Sequence, residues 1–252
     1  MRLGTDPEVF LVDNTGSLHS VIGHIGADKW NPLQVDNMPE GFTFQEDNVA
    51  LEFGVPPASS AEEFVAHIQA VQSAFLQRYK GLSFSKLSCI VFPDSEMKHP
   101  MAHIFGCEPD FNAWTGLENK KPSPPVKNMR SAGGHVHVET QLDKHHVIQA
   151  MDLALGVPSV LMDTGKARRQ LYGAAGAHRP KSYGVEYRTL SNFWIFDENL
   201  IRWVWRNTAT ALESVAAGVS LKEFQHDIES CINNSDEKAA KHLVKMFNLE
   251  VV

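Results

Sequence analysis

Residues 131–139 read SAGGHVHVE. Two glycines lead into His135, Val136, His137, Val138 and Glu139. Alternation with a period of two marks a strand that has one face in a core. Val136 and Val138 take that apolar face. The other face carries two imidazoles and a carboxylate, where a plain solvated strand would take Thr or Lys. Whether this second face is a surface or a site depends on the other strands.

Three other segments repeat the pattern. In GTDPEVFLV, Asp6 and Glu8 oppose Val9 and Leu11. In TFQEDNVALEF, read as one strand, Glu46, Asn48, Ala50 and Glu52 oppose Val49, Leu51 and Phe53. In YGVEYRTL, Glu186 and Arg188 oppose Val185, Tyr187 and Thr189. Any one of these fits the wet outer face of an antiparallel sheet. As a set they do not, because no Lys occupies these positions and acids outnumber bases. Carboxylates on adjacent strands stand about 4.8 Å apart and would raise one another's pKa. A divalent cation removes that cost, and hard oxygen ligands with one or two histidines suit Mg²⁺ or Mn²⁺. Several carboxylates could hold two or three ions, an arrangement suited to phosphoryl chemistry.

The rest of the chain sets the frame. It has 252 residues, 43% hydrophobic and 21% charged, with a net charge of −7. That is enough chain for a full core. The acidic balance and the absence of a Lys/Arg run disfavour tight duplex nucleic acid binding. Cys89, Cys107 and Cys231 are widely spaced and contain no CxxC, as expected of free thiols in a reducing compartment. No signal-peptide pattern opens the chain and no window approaches the roughly 20 apolar residues of a membrane span, so a cytoplasmic location is expected.

Strands are expected over 3–12 and 17–25, joined at Asn14-Thr15-Gly16, and over 42–53, 86–92, 134–140 and 183–190. Pro56-Pro57 ends the third. Ser60 and Glu63 form a capping box for a helix reaching about Tyr79. Residues 142–163 are helical, with a kink or break at Pro158. The C-terminal residues 198–252 hold helices at about 198–216, 221–233 and 236–248, the second with a capping box at Ser220 and Glu223. Residues 93–130, rich in proline, form a long loop. Residues 166–182, KARRQLYGAAGAHRPKS, form a basic, glycine-rich loop. With no clear linker, residues 1–252 are expected to form one α+β domain: a mostly antiparallel, curved sheet with helices packed on one face.

The basic residues gain a role beside the acids. Arg130 precedes the histidine strand, and Arg168, Arg169, Arg179 and Lys181 surround the Glu186 strand. Guanidinium forks bind phosphate and carboxylate in two-point fashion, although surface solvation explains Arg168 and Arg169 about as well. Gly133, Gly134, Gly173 and Gly176 are expected to let a ligand approach the backbone. No GxxxxGK[ST] is present, which excludes a P-loop. His145 and His146 read as surface residues, and Trp194, Trp203 and Trp205 as core rather than an adenine shelf.

GTDPEVFLVD, RSAGGHVHV and VEYR resemble, in order, the metal-binding strands of glutamine synthetase. More closely, QEDNVALEF, RSAGGHVHV and RRQLYGAAGAHRPKSYGVEYRTLSNFW resemble the phage-type COOH–NH₂ ligase (type 2 amidoligase) family, over roughly residues 3–197. That resemblance implies a glutamine synthetase-like catalytic fold and an ATP- and Mg²⁺-dependent carboxylate–amine ligase working through an acyl phosphate. It implies Glu8, Asp6, Glu46, Glu52, His135 and Glu186 as metal ligands, Glu46 being the less certain. Arg188 would contact the transferred phosphoryl group or substrate carboxylate. Arg130, Arg168, Arg169, Arg179 and Lys181 would steady phosphates. His137 would support the ligands or contact substrate without ligating, and Asp6 would reach a metal through water. The 93–130 loop would exclude water, with Glu108 or Asp110 handling the amine. The partners are then a small-molecule or peptide carboxylate and an amine. A guanidino-type phosphotransferase and a non-catalytic nucleotide-binding protein are the competing readings.

Overall fold

The computed structural model describes residues 1–104, 109–120 and 124–252. Strands β1 (Leu3–Thr5), β2 (Glu8–Asp13), β3 (Leu18–His19), β4 (Leu33–Gln34), β5 (Thr43–Asp47) and β6 (Ala50–Ala58) precede helix α1 (Ala61–Arg78). Strands β7 (Leu82–Ser85), β8 (Cys89–Val91), β9 (Phe111–Asn112), β10 (Met129–Ser131) and β11 (Val136–Glu139) follow. Helices α2 (Lys144–Met151), α3 (Val157–Met162) and α4 (Lys166–Arg169) lead to β12 (Ala177–Lys181) and β13 (Gly184–Tyr187). The chain closes with α5 (Glu198–Ala216), α6 (Gln225–Asn233) and α7 (Glu237–Phe247).

Among the described residues, one open sheet runs in the order β3-β2-β6-β1-β11-β13-β12-β9. β5 and β4 extend it from β6, and β7 lies along β2, while β8 and β10 pair separately. All pairings are antiparallel, as the alternating patterns predict. The fold is α+β, with α1 against β6 and α2 against β12 and β13.

The core forms where the apolar faces meet the helices. Val9, Leu51, Phe53, Val136, Val138 and Val185 are fully buried with Phe64, Ile68, Val71 and Phe75 of α1. Phe75 packs edge-on against Phe44, with ring centres 5.4 Å apart. Each such side chain stabilises the fold by about 1.5–3 kcal/mol relative to exposure. Trp194 and Trp203 are also fully buried, as a core assignment requires. The Ser60 cap forms: its hydroxyl accepts from the Glu63 amide at 3.1 Å, and Glu63 returns a bond from the Ser59 amide at 2.6 Å.

Several boundaries differ from the sequence expectation, each for a local reason. Residues 3–12 are two strands, because Asp6-Pro7 carries the chain from one pairing partner to another. Residues 17–25 yield only Leu18–His19. The β6 strand runs through Pro56 and Pro57 to Ala58, at a register irregularity opposite Leu3–Thr5 where missing amides cost little. Residues 42–53 are a hairpin, since Asn48 adopts φ 57° and turns the chain. The loop expected at 166–182 contains α4 and β12. At Ser220 the structure has a short 3-10 turn, Lys222–Phe224, instead of a capping box.

The break expected at Pro158 takes the form of a π turn: Asp152–Gly156 lie between α2 and α3, and Pro158, which has no amide to donate to the preceding turn, follows in the first turn of α3. The π turn delivers Asp152 into the core. Its Oδ2 accepts from Trp114 Nε1 at 2.7 Å and the Gly176 amide at 2.6 Å. Its Oδ1 accepts from Tyr187 Oη at 2.9 Å and Thr189 Oγ1 at 3.2 Å. Burial pushes this carboxyl up to about 7 despite four donors. A raised native pKa means that the folded state keeps its proton where the unfolded chain has lost it. The associated stability is full below about pH 4 and lost as pH rises through 7, about 4 kcal/mol in all. Asparagine can satisfy the same partners without charge, its oxygen toward the two N–H groups. Asp152→Asn should therefore gain on the parent in unfolding free energy by about that amount between pH 4 and pH 8. Parallel pH curves for the two proteins would refute the shift.

Candidate functional site

The sheet register builds the site as two rows. One crosses β12, β13, β11 and β1, placing Arg179 opposite Glu186, Glu186 opposite His137, and His137 opposite Gly4. The other crosses β2, β6 and β5, placing Glu8 opposite Glu52 and Glu52 opposite Gln45. Directly opposed residues share a face. Asp6, in the crossover from β1 to β2, stands between the rows. Asp6, Glu8, Gln45, Glu52 and Arg179 line a cleft of about 650 Å³, and Glu186 is fully buried.

Two groups of ligand atoms result, each within 4.8 Å: Asp6, His137 and Glu186, and Glu8, Asp47 and Glu52. Asp47 was missed in the sequence, because reading 42–53 as one strand put Glu46 beside Glu52. The turn at Asn48 reverses that parity. Glu46 instead faces the 23–26 loop, where its Oε1 accepts from the Gly23, Ile25 and Gly26 amides at 2.9–3.0 Å. The cue available in the sequence is the Asp47-Asn48 pair, since both residues favour turns and Asn tolerates the left-handed region.

His135 lies between the groups. Its Nδ1 is 3.0 Å from Asp6 Oδ1 and 3.7 Å from Glu186 Oε1. Its Nε2 is 4.0 Å from Glu8 Oε1 and 3.5 Å from Arg168 Nη2. His137 belongs to the first group: its Nε2 is 3.2 Å from Asp6 and its Nδ1 is 3.0 Å from Tyr183 Oη.

The electrostatics divide the cleft. Burial and the Asp6 carboxylate oppose ionisation of Glu186, but Arg188, His135 and His137 hold it at about 2. Arg188 bonds it directly, Lys181 Nζ is 2.7 Å from Oε2, and Arg179 Nη1 is 3.7 Å from Oε1. Arg188 also meets Asp110 at 3.4 Å. Burial likewise opposes Asp6, yet His137 and His135 hold it well below the carboxylate range. Glu52 has the opposite fate. Burial, then Asp6, Asp47, Glu8 and Glu186, push its carboxyl well above the usual range. Its hydrogen bond comes from Gln45 Nε2 at 2.7 Å.

The residues present therefore fit divalent cations. Hard oxygen donors crowd together, and the Glu8–Asp47–Glu52 group carries a charge excess that a 2+ ion offsets. Either group supplies three protein ligands, leaving positions for water or phosphate oxygens.

Other expected residues have different work. Arg168 is buried and donates from Nη1 to the Arg188 and Thr189 carbonyls at 3.1 Å, so it fixes the backbone that carries Arg188. Arg169 points away from the cleft, pairing with Asp163 at 3.3 Å and donating to the Ser159 carbonyl at 3.0 Å. Arg130 lines the cleft and also donates to the Ala102 and Met129 carbonyls. Each of the four glycines lies close against the protein's own atoms. A Cβ at Gly133 would lie 2.3 Å from His135 Nε2, and one at Gly173 2.4 Å from Arg168 Nη1. A Cβ at Gly134 would lie 2.5 Å from Trp194 Nε1, and one at Gly176 2.8 Å from Trp114. Glu108 lies outside the described residues.

A family model described as phage phiEco32-like COOH.NH2 ligase-type 2 matches residues 116–245, just over half of the chain. No curated protein matches the chain. The matched segment contains His135, His137, Arg179, Lys181, Glu186 and Arg188, while Asp6, Glu8, Asp47 and Glu52 reach the same cleft from strands outside it. The chain accordingly belongs to the phage phiEco32-like COOH–NH₂ ligase type 2 family, whose name denotes the joining of a carboxyl group to an amine.

Proposed function

We propose that this chain is an ATP- and divalent-metal-dependent ligase that joins a carboxylate to an amine through an acyl phosphate. The observation that carries the reading is the convergence of Asp6, Glu8, Asp47 and Glu52 with Arg179, Lys181 and Arg188 in one cleft, the three cations sharing the buried Glu186 as counter-charge. Acids alone would suit a cation store, and bases alone an anion site. Both together suit a polyphosphate that arrives with its metal.

The Glu8–Asp47–Glu52 and Asp6–His137–Glu186 groups would hold Mg²⁺ or Mn²⁺, which neutralises phosphate charge when bound. Arg188 and Arg179 would orient the γ-phosphate and the substrate carboxylate. A carboxylate oxygen attacks the γ-phosphorus as the bond to ADP breaks. The amine nitrogen then attacks the acyl carbon, phosphate departs, and one amine proton is lost. Asp110, held beside Arg188, would take that proton. Arg168 keeps Arg188 in place from behind.

Mg·ATP at about 100 times its Kd should stabilise the fold by about 2.7 kcal/mol, raising Tm by roughly 5 °C or more. Glu52→Ala should lose that rise. No rise in the parent would sink nucleotide binding. ADP release that needs a carboxylate and is completed by an amine supports ligation. Release with a guanidino compound and no amine would instead mark a phosphotransferase.

A further inference from the structure

Trp30 is 80% exposed, an unusual state for an indole, and it lines the mouth of the cleft. The loop that carries it is built, not loose. Glu46 Oε1 accepts three loop amides, and the Glu46 amide donates to the Ala27 carbonyl at 2.9 Å. Asp28 Oδ1 then accepts from the Trp30 and Asn31 amides at 2.9 and 3.0 Å. Glu46, which the sequence suggested as a metal ligand, thus holds an aromatic ring at the cleft mouth.

The other side of the same hairpin turn does a matching job. Asn48 Nδ2 donates to the Met101 and Ile104 carbonyls at 2.9 and 2.6 Å. Met101 and Ile104 are 51% and 46% exposed and also line the cleft. Residues 46 and 48 therefore tie two apolar rims to the turn that carries Asp47. Lys29 marks the boundary between rim and floor. Its ammonium lies 4.6 Å from the Trp30 ring centre, and Lys29 lines the cleft together with Asp47.

The sequence of environments runs from a flat apolar rim, through a cation, to an acid cluster suited to metals. A ligand that matches it end to end has a planar ring, then a polyanion. Carboxylate and amine substrates offer no such gradient in general, whereas a nucleoside triphosphate does. We propose that Trp30, with Met101 and Ile104, forms the base subsite for a purine nucleoside triphosphate, with Lys29 at the phosphate side. The proposal deepens the ATP-dependent reading above and rests on it.

The test compares Mg·ATP with Mg·tripolyphosphate by calorimetry on the full chain. Trp30→Ala should weaken ATP binding about tenfold, as loss of one base-stacking partner does, and leave tripolyphosphate binding unchanged. Trp30→Phe should keep ATP binding within about threefold, since a ring remains. Parent-like ATP affinity in Trp30→Ala overturns the subsite while leaving ATP dependence standing. So does equal weakening of both ligands, which would mean a lost fold or phosphate contact. No ATP binding by the parent overturns both readings at once.

Discussion

Glu186→Gln should lower ligase turnover by roughly 10²–10³-fold or more, the loss typical of removing one preorganised charge from a site of this kind. Glu186 is fully buried and is the shared counter-charge of Arg188, Lys181 and Arg179. Glutamine keeps the volume but removes the charge. Arg188, Lys181 and Arg179 then lose their shared counter-charge, and Arg188 loses the contact that aims it. The first ligand group also loses its innermost carboxylate. Breaking a buried ion network from one side costs about 3–5 kcal/mol, so the variant should also melt lower. Two measurements separate these effects. Turnover is assayed well below the variant's Tm, and Glu186→Asp is assayed beside it. Aspartate restores the charge one methylene back, so it should recover the melting temperature more than the turnover. Parental turnover in Glu186→Gln would remove Glu186 from both ligand and counter-charge roles.

The same residue shows why part of the site could be read from the sequence. Glu186 and His137 lie on strands whose faces alternate without interruption, and Arg188 follows one residue past β13, so parity assigns them to one side. The helices were legible for a similar reason. Ser60 and Glu63 announce α1, and a capping Asp197 precedes α5 over residues 198–216, where it was expected. The failures at the acid cluster and at the arginine pair come from events one or two residues long. A single left-handed residue, Asn48, reverses the chain inside TFQEDNVALEF and exchanges Asp47 for Glu46 in the cluster. Neighbours on the short helix α4 diverge by about 100° around its axis. Arg168 therefore meets His135 while Arg169 meets Asp163. No property of the residue types separates that pair. Only the packing of α4 does.

The glycines of SAGGHVHVE admit two readings that experiment can separate. Space for a ligand and space for the protein's own side chains look alike in a sequence. Gly134→Ala distinguishes them. A Cβ there would stand 2.5 Å from the Ser191 carbonyl oxygen, 2.5 Å from Trp194 Nε1 and 3.1 Å from Asn192 Cα. Two of those three atoms are backbone and cannot swing aside. Gly134 is also bonded on both sides, its amide donating to the Leu190 carbonyl at 3.1 Å and its carbonyl accepting from Trp194 Nε1 at 3.2 Å. Alanine must therefore push the segment after β13 away from β11, and that segment follows directly on Arg188. The expected loss is about 3 kcal/mol, at the upper end for overpacking, or roughly 6–12 °C in Tm. Gly16→Ala provides the contrast, because Gly16 has φ 80° but nothing within 4 Å of its Cβ position. It should cost only the backbone strain, about 1 kcal/mol. If Gly134 instead made room for phosphate or substrate, Gly134→Ala would melt like the parent and show only a raised KM. A parental Tm in Gly134→Ala would return that glycine to the ligand.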